Sequence, residues 1–141
     1  HPGSYYANPV SLAAGLATLE LLTREAIARL NRTGERVRAG LAQVFAEAGV
    51  PATVTGLGSL FGVHMTRGPV RTIRDAARAD AALRHRLFLG LYGEGVLIDP
   101  RGAGTLSTAI GPAEIEEFLR AAATVVARLS PQVGSISRTA I

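Results

Sequence analysis

Over the first third of the chain, apolar residues recur at helical spacing. Leu12, Leu16, Leu19, Leu22, Ile27 and Leu30 fall along a helix expected over residues 10 to about 30, and Asn8-Pro9 supplies its start, with Asn to cap free amides and Pro suited to a first turn. Gly15 inside that helix costs about 1 kcal/mol relative to Ala, which implies close packing against a partner. Thr33-Gly34 punctuates the pattern, and a second helix is expected from about residue 35 to 48 on Val37, Leu41, Val44 and Phe45. Gly49 closes it as a C-terminal cap, with Pro51 just beyond. The period then changes to two. Residues 52–55 and 60–66 read as strands, the second alternating Phe61, Val63 and Met65 with Gly62, His64 and Thr66. A third helix starts between Thr72 and Asp80 and reaches about Tyr92, with Ala76, Ala79, Leu83, Leu87 and Leu91 on one face and Gly93 and Gly95 as its stop. Two short strands, 96–98 and 105–107, are expected around the turn formed by residues 99–104. A last amphipathic helix opens at Gly111-Pro112 and runs to about Leu129, with Ile115, Phe118, Leu119, Ala122 and Val126 inward. Residues 130–141 carry no period and are expected to form a mobile tail.

The order helix, helix, strand, strand, helix, strand, strand, helix specifies a two-layer α+β domain with a small, mainly antiparallel sheet. A chain near this length buries roughly 68–70% of its unfolded surface, enough for one real core. Composition narrows the chemistry. All 15 basic side chains are arginine and lysine is absent, so no side chain here can form a Schiff base and no Gly-rich phosphate loop ending in Lys-Ser or Lys-Thr exists. With no cysteine, disulfides, thiolate nucleophiles and Cys-based zinc sites are excluded. At 48% hydrophobic and 18% charged, with no apolar run long enough to span a bilayer, the chain reads as soluble. The net charge of +4 raises nucleic acid as a partner, but the arginines are interspersed with acids (Arg24-Glu25, Glu35-Arg36, Arg74-Asp75) and lack clustered stacking aromatics, so a solvated surface is expected instead. The start shows no signal-peptide pattern and no initiator methionine, from which a fragment or processed chain is expected.

Most candidate motifs have ordinary structural explanations. In Gly56-Leu57-Gly58-Ser59-Leu60-Phe61-Gly62 the glycines are mis-spaced for a dinucleotide loop and a strand follows where a helix would be needed, so a turn between strands is expected. His1, His64 and His85 are too dispersed for a metal site. Glu114, Glu116 and Glu117 sit where a helix dipole favours acids. Two places offer more. Residues 3–9 present a hydroxyl and free amides ahead of a capped helix, a locus that binds anions or is simply a helix entry. Arg101, in a Pro-Arg-Gly turn between short strands, can form a bidentate pair with a ligand carboxylate or stand exposed in solvent.

The stretch His1-Pro2-Gly3-Ser4-Tyr5-Tyr6-Ala7-Asn8-Pro9-Val10-Ser11-Leu12-Ala13-Ala14-Gly15-Leu16-Ala17-Thr18-Leu19 closely resembles the His-Gly-Gly-Thr-Phe-x-x-Asn-Pro-x-x-x-Ala-Ala-Gly-x-Ala-x-Leu motif of class-III pyridoxal-phosphate aminotransferases, most of all the glutamate-1-semialdehyde 2,1-aminomutase branch. Weaker likeness continues through residues 58–62, 91–97 and 103–107, covering the chain to about Leu129. The resemblance implies the C-terminal portion of a fold-type I enzyme: residues 1–31 as interface, cofactor-phosphate segment and long linking helix, residues 32–129 as the small domain, and 130–141 as a tail. It implies pyridoxal 5'-phosphate as cofactor, a cytoplasmic homodimer, a small amino-acid-like substrate, and neither nucleic acid nor membrane as partner. Ser4, with Tyr5 beside it, stands where the family's hydroxyl residue contacts the phosphate bound to the partner subunit. The family's Schiff-base lysine lies upstream of this motif, so the isolated chain is expected to be inactive. The aminomutase branch carries a Phe-Glu-Ala-Gly-Phe type segment where Asp99-Pro100-Arg101-Gly102-Ala103-Gly104-Thr105 stands, and an Arg-Gly here resembles transaminases that grip a substrate carboxylate. An aminotransferase acting on a carboxylate-bearing amine is therefore expected, with Arg101 as substrate residue. The alternatives are an aminomutase-type fragment and a non-catalytic, stand-alone interaction module.

Overall fold

The computed structural model describes residues 8–136, with side chains through residue 130. Asn8 caps the first helix, α1 (Pro9–Leu21): its Oδ1 accepts from the Ser11 amide at 2.9 Å and its Nδ2 donates to the Ser11 hydroxyl at 2.7 Å. The expected single helix to residue 30 breaks earlier, at Leu22-Thr23, because the Thr23 hydroxyl accepts from the Ala26 amide at 3.2 Å and starts a second helix, α2 (Arg24–Glu47). α2 runs straight through Thr33-Gly34, so the expected boundary at residues 31/32 lies inside it. Gly34 is there for a close approach and not for a stop: a Cβ at this position would collide with the Gly58 carbonyl. Gly49 ends α2 as expected, at φ +66°, with Val50 N–H donating to the Phe45 carbonyl at 3.1 Å.

Three strands follow, β1 (Thr53–Thr55), β2 (Leu60–His64) and, later, β3 (Ala103–Thr105), antiparallel in the order β1-β2-β3. Val54 faces Val63 and Phe61 faces Gly104 in the register, so Phe61 and Val63 enter the core while Gly62 and His64 stay half-buried. Between β2 and β3 the expected third helix is two. α3 (Ile73–Ala77) is a short turn closed by a Thr72–Asp75 capping box; α4 (Ala81–Gly93) is capped by Asp80, whose Oδ1 accepts from the Leu83 amide at 2.8 Å. Ala76 and Ala79 are accordingly off the buried face, which is Leu83, Leu87 and Leu91.

The expected strand at 96–98 does not form. α4 leaves through Gly95 (φ +82°), and the Val96 amide is used at once by the Leu91 carbonyl at 2.9 Å, which turns the segment away from the sheet. Only Asp99 N–H reaches β3, donating to the Ala103 carbonyl at 2.8 Å. The last helix, α5 (Pro112–Ile136), continues beyond the expected end at Leu129 into the segment expected to be a tail; residues 137–141 lie outside the described residues.

The helices α2, α4 and α5 share one apolar layer with the inner face of the sheet: Val37, Leu41 and Phe45 from α2, Leu83, Leu87 and Leu91 from α4, Ile115, Ala122 and Val126 from α5, all buried around Phe61 and Val63. Full burial of each large side chain contributes about 1.5–3 kcal/mol. Phe118, Leu119 and Val44, expected inside, are half-buried at the margin. α1 is the exception to the sequence pattern. It has no buried residue, Leu12, Leu16 and Leu19 are exposed, and nothing lies within 4 Å of where a Gly15 Cβ would sit, so any partner for this glycine is not among the described residues.

The two glycines should therefore respond oppositely to alanine. Gly34→Ala is expected to lower stability by about 1–3 kcal/mol, since backbone must move. Gly15→Ala should raise helix stability by up to about 1 kcal/mol. Denaturant melts measure the loss in Gly34→Ala, and the helical circular-dichroism signal of Gly15→Ala on heating measures the gain, since α1 buries no residue.

Candidate functional site

The turn between α4 and β3 concentrates charge. Asp99 folds it: its Oδ1 accepts from the Arg101 amide at 2.7 Å, and Gly102 N–H donates to the Asp99 carbonyl at 2.8 Å. The same carboxylate receives the Arg101 guanidinium, Nε to Oδ1 at 3.1 Å and Nη2 to Oδ2 at 3.3 Å, in a two-pronged contact. Arg101 thus stands at a strand-end turn as expected, 85% exposed, with its fork turned onto its own neighbour. Hydrogen bonds from the Arg101 side chain and amide hold the Asp99 carboxyl below the usual carboxylate range, and the positive charge of Arg84 adds to this.

Gly102 anchors the turn. It is buried at φ +90°, its carbonyl accepts from Val63 N–H at 2.9 Å, and a Cβ would press against the Val63 carbonyl. The residue after Val63 is His64, whose Nε2 lies 2.9 Å from the Thr55 hydroxyl across the strands. Arg84 reaches the same place from α4. Its Cδ is 3.5 Å from the position of a Gly102 Cβ, and its Nε is buried without a hydrogen-bond partner. Burial, and then the Arg84 charge, lower the His64 pKa below its ordinary 6.5. Sequence reasoning missed Asp99 and Arg84; the Asp-Pro-Arg-Gly spacing, an acid two residues before the arginine in a turn, was the available signal for the first.

Ser4 and Tyr5, the expected cofactor-phosphate residues, lie outside the described residues. The glutamates of α5 do not converge on one another. Glu114 accepts from the Gly111 amide at 2.8 Å, Glu116 pairs with Arg36 of α2 at 3.0 Å, and Glu117 lies 4.0 Å from Arg120. Exposed pairs of this kind add little stability. His85 stacks on Phe88 with ring centroids 6.3 Å apart. No metal-binding group of acids, histidines and cysteines occurs among the described residues, and none of their helices is long and apolar enough to cross a membrane. Two open clefts lie among the described residues, and Arg101 lines neither. One, of about 320 Å³, separates residues 94–98 from β3 and the start of α5; the other, of about 380 Å³, lies between Arg29, Arg32 and Thr33 of α2 and Ser107 and Thr108.

No family model matches the chain. Among curated proteins, it is 42% identical over 123 residues to a glutamate-1-semialdehyde 2,1-aminomutase of Thermus thermophilus, covering 84% of this chain and 29% of that protein. It is 38% identical over 122 residues to a beta-phenylalanine transaminase of Variovorax paradoxus, covering 86% of this chain and 28% of the transaminase. Among solved structures it superposes on a beta-phenylalanine aminotransferase from Variovorax paradoxus with a TM-score of 0.85 at 36% identity, over 93% of this chain and 31% of that one. An omega-transaminase from Sphaerobacter thermophilus gives a TM-score of 0.83 at 39% identity, over 89% and 29%. The chain therefore spans under a third of the length of these relatives.

The His64 environment yields a pH dependence. The fold favours the neutral imidazole, so its contribution to stability is full above the unfolded pKa and is lost as pH falls through the lower folded value. Thermal melts between about pH 7.5 and about pH 5 should show a decline that His64→Gln flattens. The lowered carboxyls of Glu25, Asp75 and Asp99 lose their contributions only at more acid pH.

Proposed function

We propose that this chain, whose homologues are glutamate-1-semialdehyde aminomutases and class-III transaminases, is the C-terminal portion of a pyridoxal-phosphate-dependent aminotransferase acting on a carboxylate-bearing amine. The observation that carries this reading is an exposed arginine at a strand-end turn, on a fold that superposes, over 93% of this chain, on under a third of a beta-phenylalanine aminotransferase. In this reading residues 1–31 form the interface and cofactor-phosphate segment, residues 32–129 the small domain, and two copies pair as a homodimer in the cytoplasm. The 42% identity to an aminomutase favours one second reading, a fragment of that enzyme. A stand-alone interaction module would bind no pyridoxal phosphate even when the cofactor is in excess, which its absorbance band reports.

Among the described residues there is no lysine to form a Schiff base with the cofactor aldehyde, and the orphan Arg84 nitrogen lies beside the Gly102 turn. The donor chemistry that suits a phosphate dianion is in Ser4 and Tyr5, two hydroxyls close in sequence to the capped start of α1. When bound, pyridoxal phosphate supplies the electron sink for amino-group transfer. The lysine that serves such chemistry comes from another part of the protein. The role of this chain is then to bind and orient: Ser4 on the phosphate held by the partner subunit, Arg101 on the substrate carboxylate.

Two substitutions in the full-length dimer test these roles. A hydrogen bond to a charged phosphate contributes about 1.5–3 kcal/mol, so Ser4→Ala should weaken cofactor retention by about tenfold or more, read by equilibrium dialysis. Unchanged retention would remove Ser4 from the site. Arg101→Ala should raise KM for carboxylate-bearing amines and spare simple amines, whereas equal loss on both classes would make Arg101 structural.

A further inference from the structure

The guanidinium that would grip a substrate carboxylate already holds one. Asp99 takes the side-on edge of the Arg101 guanidinium, Nε and Nη2, at 3.1 and 3.3 Å, one of the two-point geometries a ligand carboxylate can adopt, the other being the end-on edge of Nη1 and Nη2. Asp99 and a ligand cannot both hold the side-on edge, and an anion on the end-on edge would face the Asp99 charge. Asp99 itself is fixed independently of this contact, because its Oδ1 also accepts from the Arg101 amide at 2.7 Å and its carbonyl accepts from Gly102. Its carboxylate therefore stays at the turn when the arginine side chain moves. Arg101 is free to move, being 85% exposed, while Asp99 is less open at 36%. A second cation is also present: Arg84 lies against Gly102 with its Nε buried and unpartnered, and its charge acts on Asp99.

We propose that Asp99 is the resting occupant of the side-on edge of Arg101, an internal competitor that a ligand carboxylate docking on that edge must displace, and so a specificity-determining residue of this turn. The proposal rests on the reading of Arg101 as the carboxylate-binding residue. Displacement leaves Asp99 three residues from Gly102, against which Arg84 lies, so the released carboxylate keeps a cation in its neighbourhood. The exchange trades one carboxylate for another on the same fork. It costs a carboxylate ligand part of its affinity and costs an uncharged ligand nothing, since such a ligand leaves the Asp99–Arg101 pair in place. An exposed pair of this kind is weak, which sets the expected effect at about two- to fivefold.

The test is equilibrium binding to the full-length holoenzyme, with 3-phenylpropanoate as the carboxylate probe and titration calorimetry as the readout. Asp99→Asn keeps an oxygen for the Arg101 amide but removes the charge. It should bind the probe about two- to fivefold more tightly than the parent, and the gain should vanish when Arg101→Ala is added. Asp99→Ser, which also caps the turn but cannot hold a guanidinium at two points, should behave alike, so misfolding of one variant does not decide the matter. If Arg101→Ala weakens the probe but neither Asp99 variant tightens it, the competitor role is overturned and the arginine reading stands. If Arg101→Ala binds the probe as the parent does, the arginine reading fails and the competitor role fails with it.

Discussion

The seating of α5 between α2 and α4 is the constraint from which the rest of the structure follows. Two glycines make it possible. A Cβ at Gly40 of α2 would come within 2.7 Å of Leu119, and one at Gly90 of α4 would strike Val125, so α5 approaches both neighbours more closely than any larger residue would allow. That approach buries Ile115, Ala122 and Val126 almost completely. It also brings Phe118 to 5.6 Å, centroid to centroid, from Phe61 on β2. Gly104 on the facing strand leaves room for the Phe61 ring, since a Cβ there would overlap it. The helical layer and the sheet are thus joined through backbone cleared of side chains. The charged turn inherits its position from this packing, because Gly102 is docked on Val63, itself a core residue.

A second close approach fixes the other end of the sheet. The turn between β1 and β2 lies on α2, with the Gly58 carbonyl against Gly34 and Arg38 Nη1 donating to the carbonyls of Gly58 and Leu60 at 2.8 and 3.0 Å. The guanidinium satisfies backbone acceptors that a turn would otherwise present to solvent or leave unmet. One terminal nitrogen of Arg38, with two hydrogens, bridges both carbonyls. Other arginines, Arg36, Arg101 and Arg128 among them, pair with acids, so the positive charge count overstates what is free to meet a partner.

Much of the core was legible in the sequence because helical periodicity reports burial well when one face meets one layer. Leu83, Leu87 and Leu91, or Val37, Leu41 and Phe45, lie where their spacing puts them. The fold class and the Gly56–Gly58 turn were legible for similar reasons of period and punctuation. What the pattern could not carry was the identity of the partner surface. α1 has the same kind of apolar spacing, yet Leu12, Leu16 and Leu19 meet no layer among the described residues. Likewise Thr23 and Thr33 look equivalent as punctuation; only the cap formed by the first, and the carbonyl seated on Gly34 beside the second, tell a break from a contact. At the site, Arg101 was legible as a residue type in a turn, but Asp99 was not, because its role appears only when the backbone folds the carboxylate back onto the fork.

The exposed face of α1 has a consequence for how this polypeptide behaves in a tube. Its stability is set by the α2, α4, α5 and sheet core, whereas its solubility is set by a helix that adds nothing to that core. A preparation can therefore be well folded by every spectroscopic measure and still cluster as its concentration rises, through Val10, Leu12, Leu16, Leu19 and Leu21. Removing the helix, or replacing its leucines with polar residues, addresses colloidal behaviour and leaves the folding equilibrium of the core to be measured on its own.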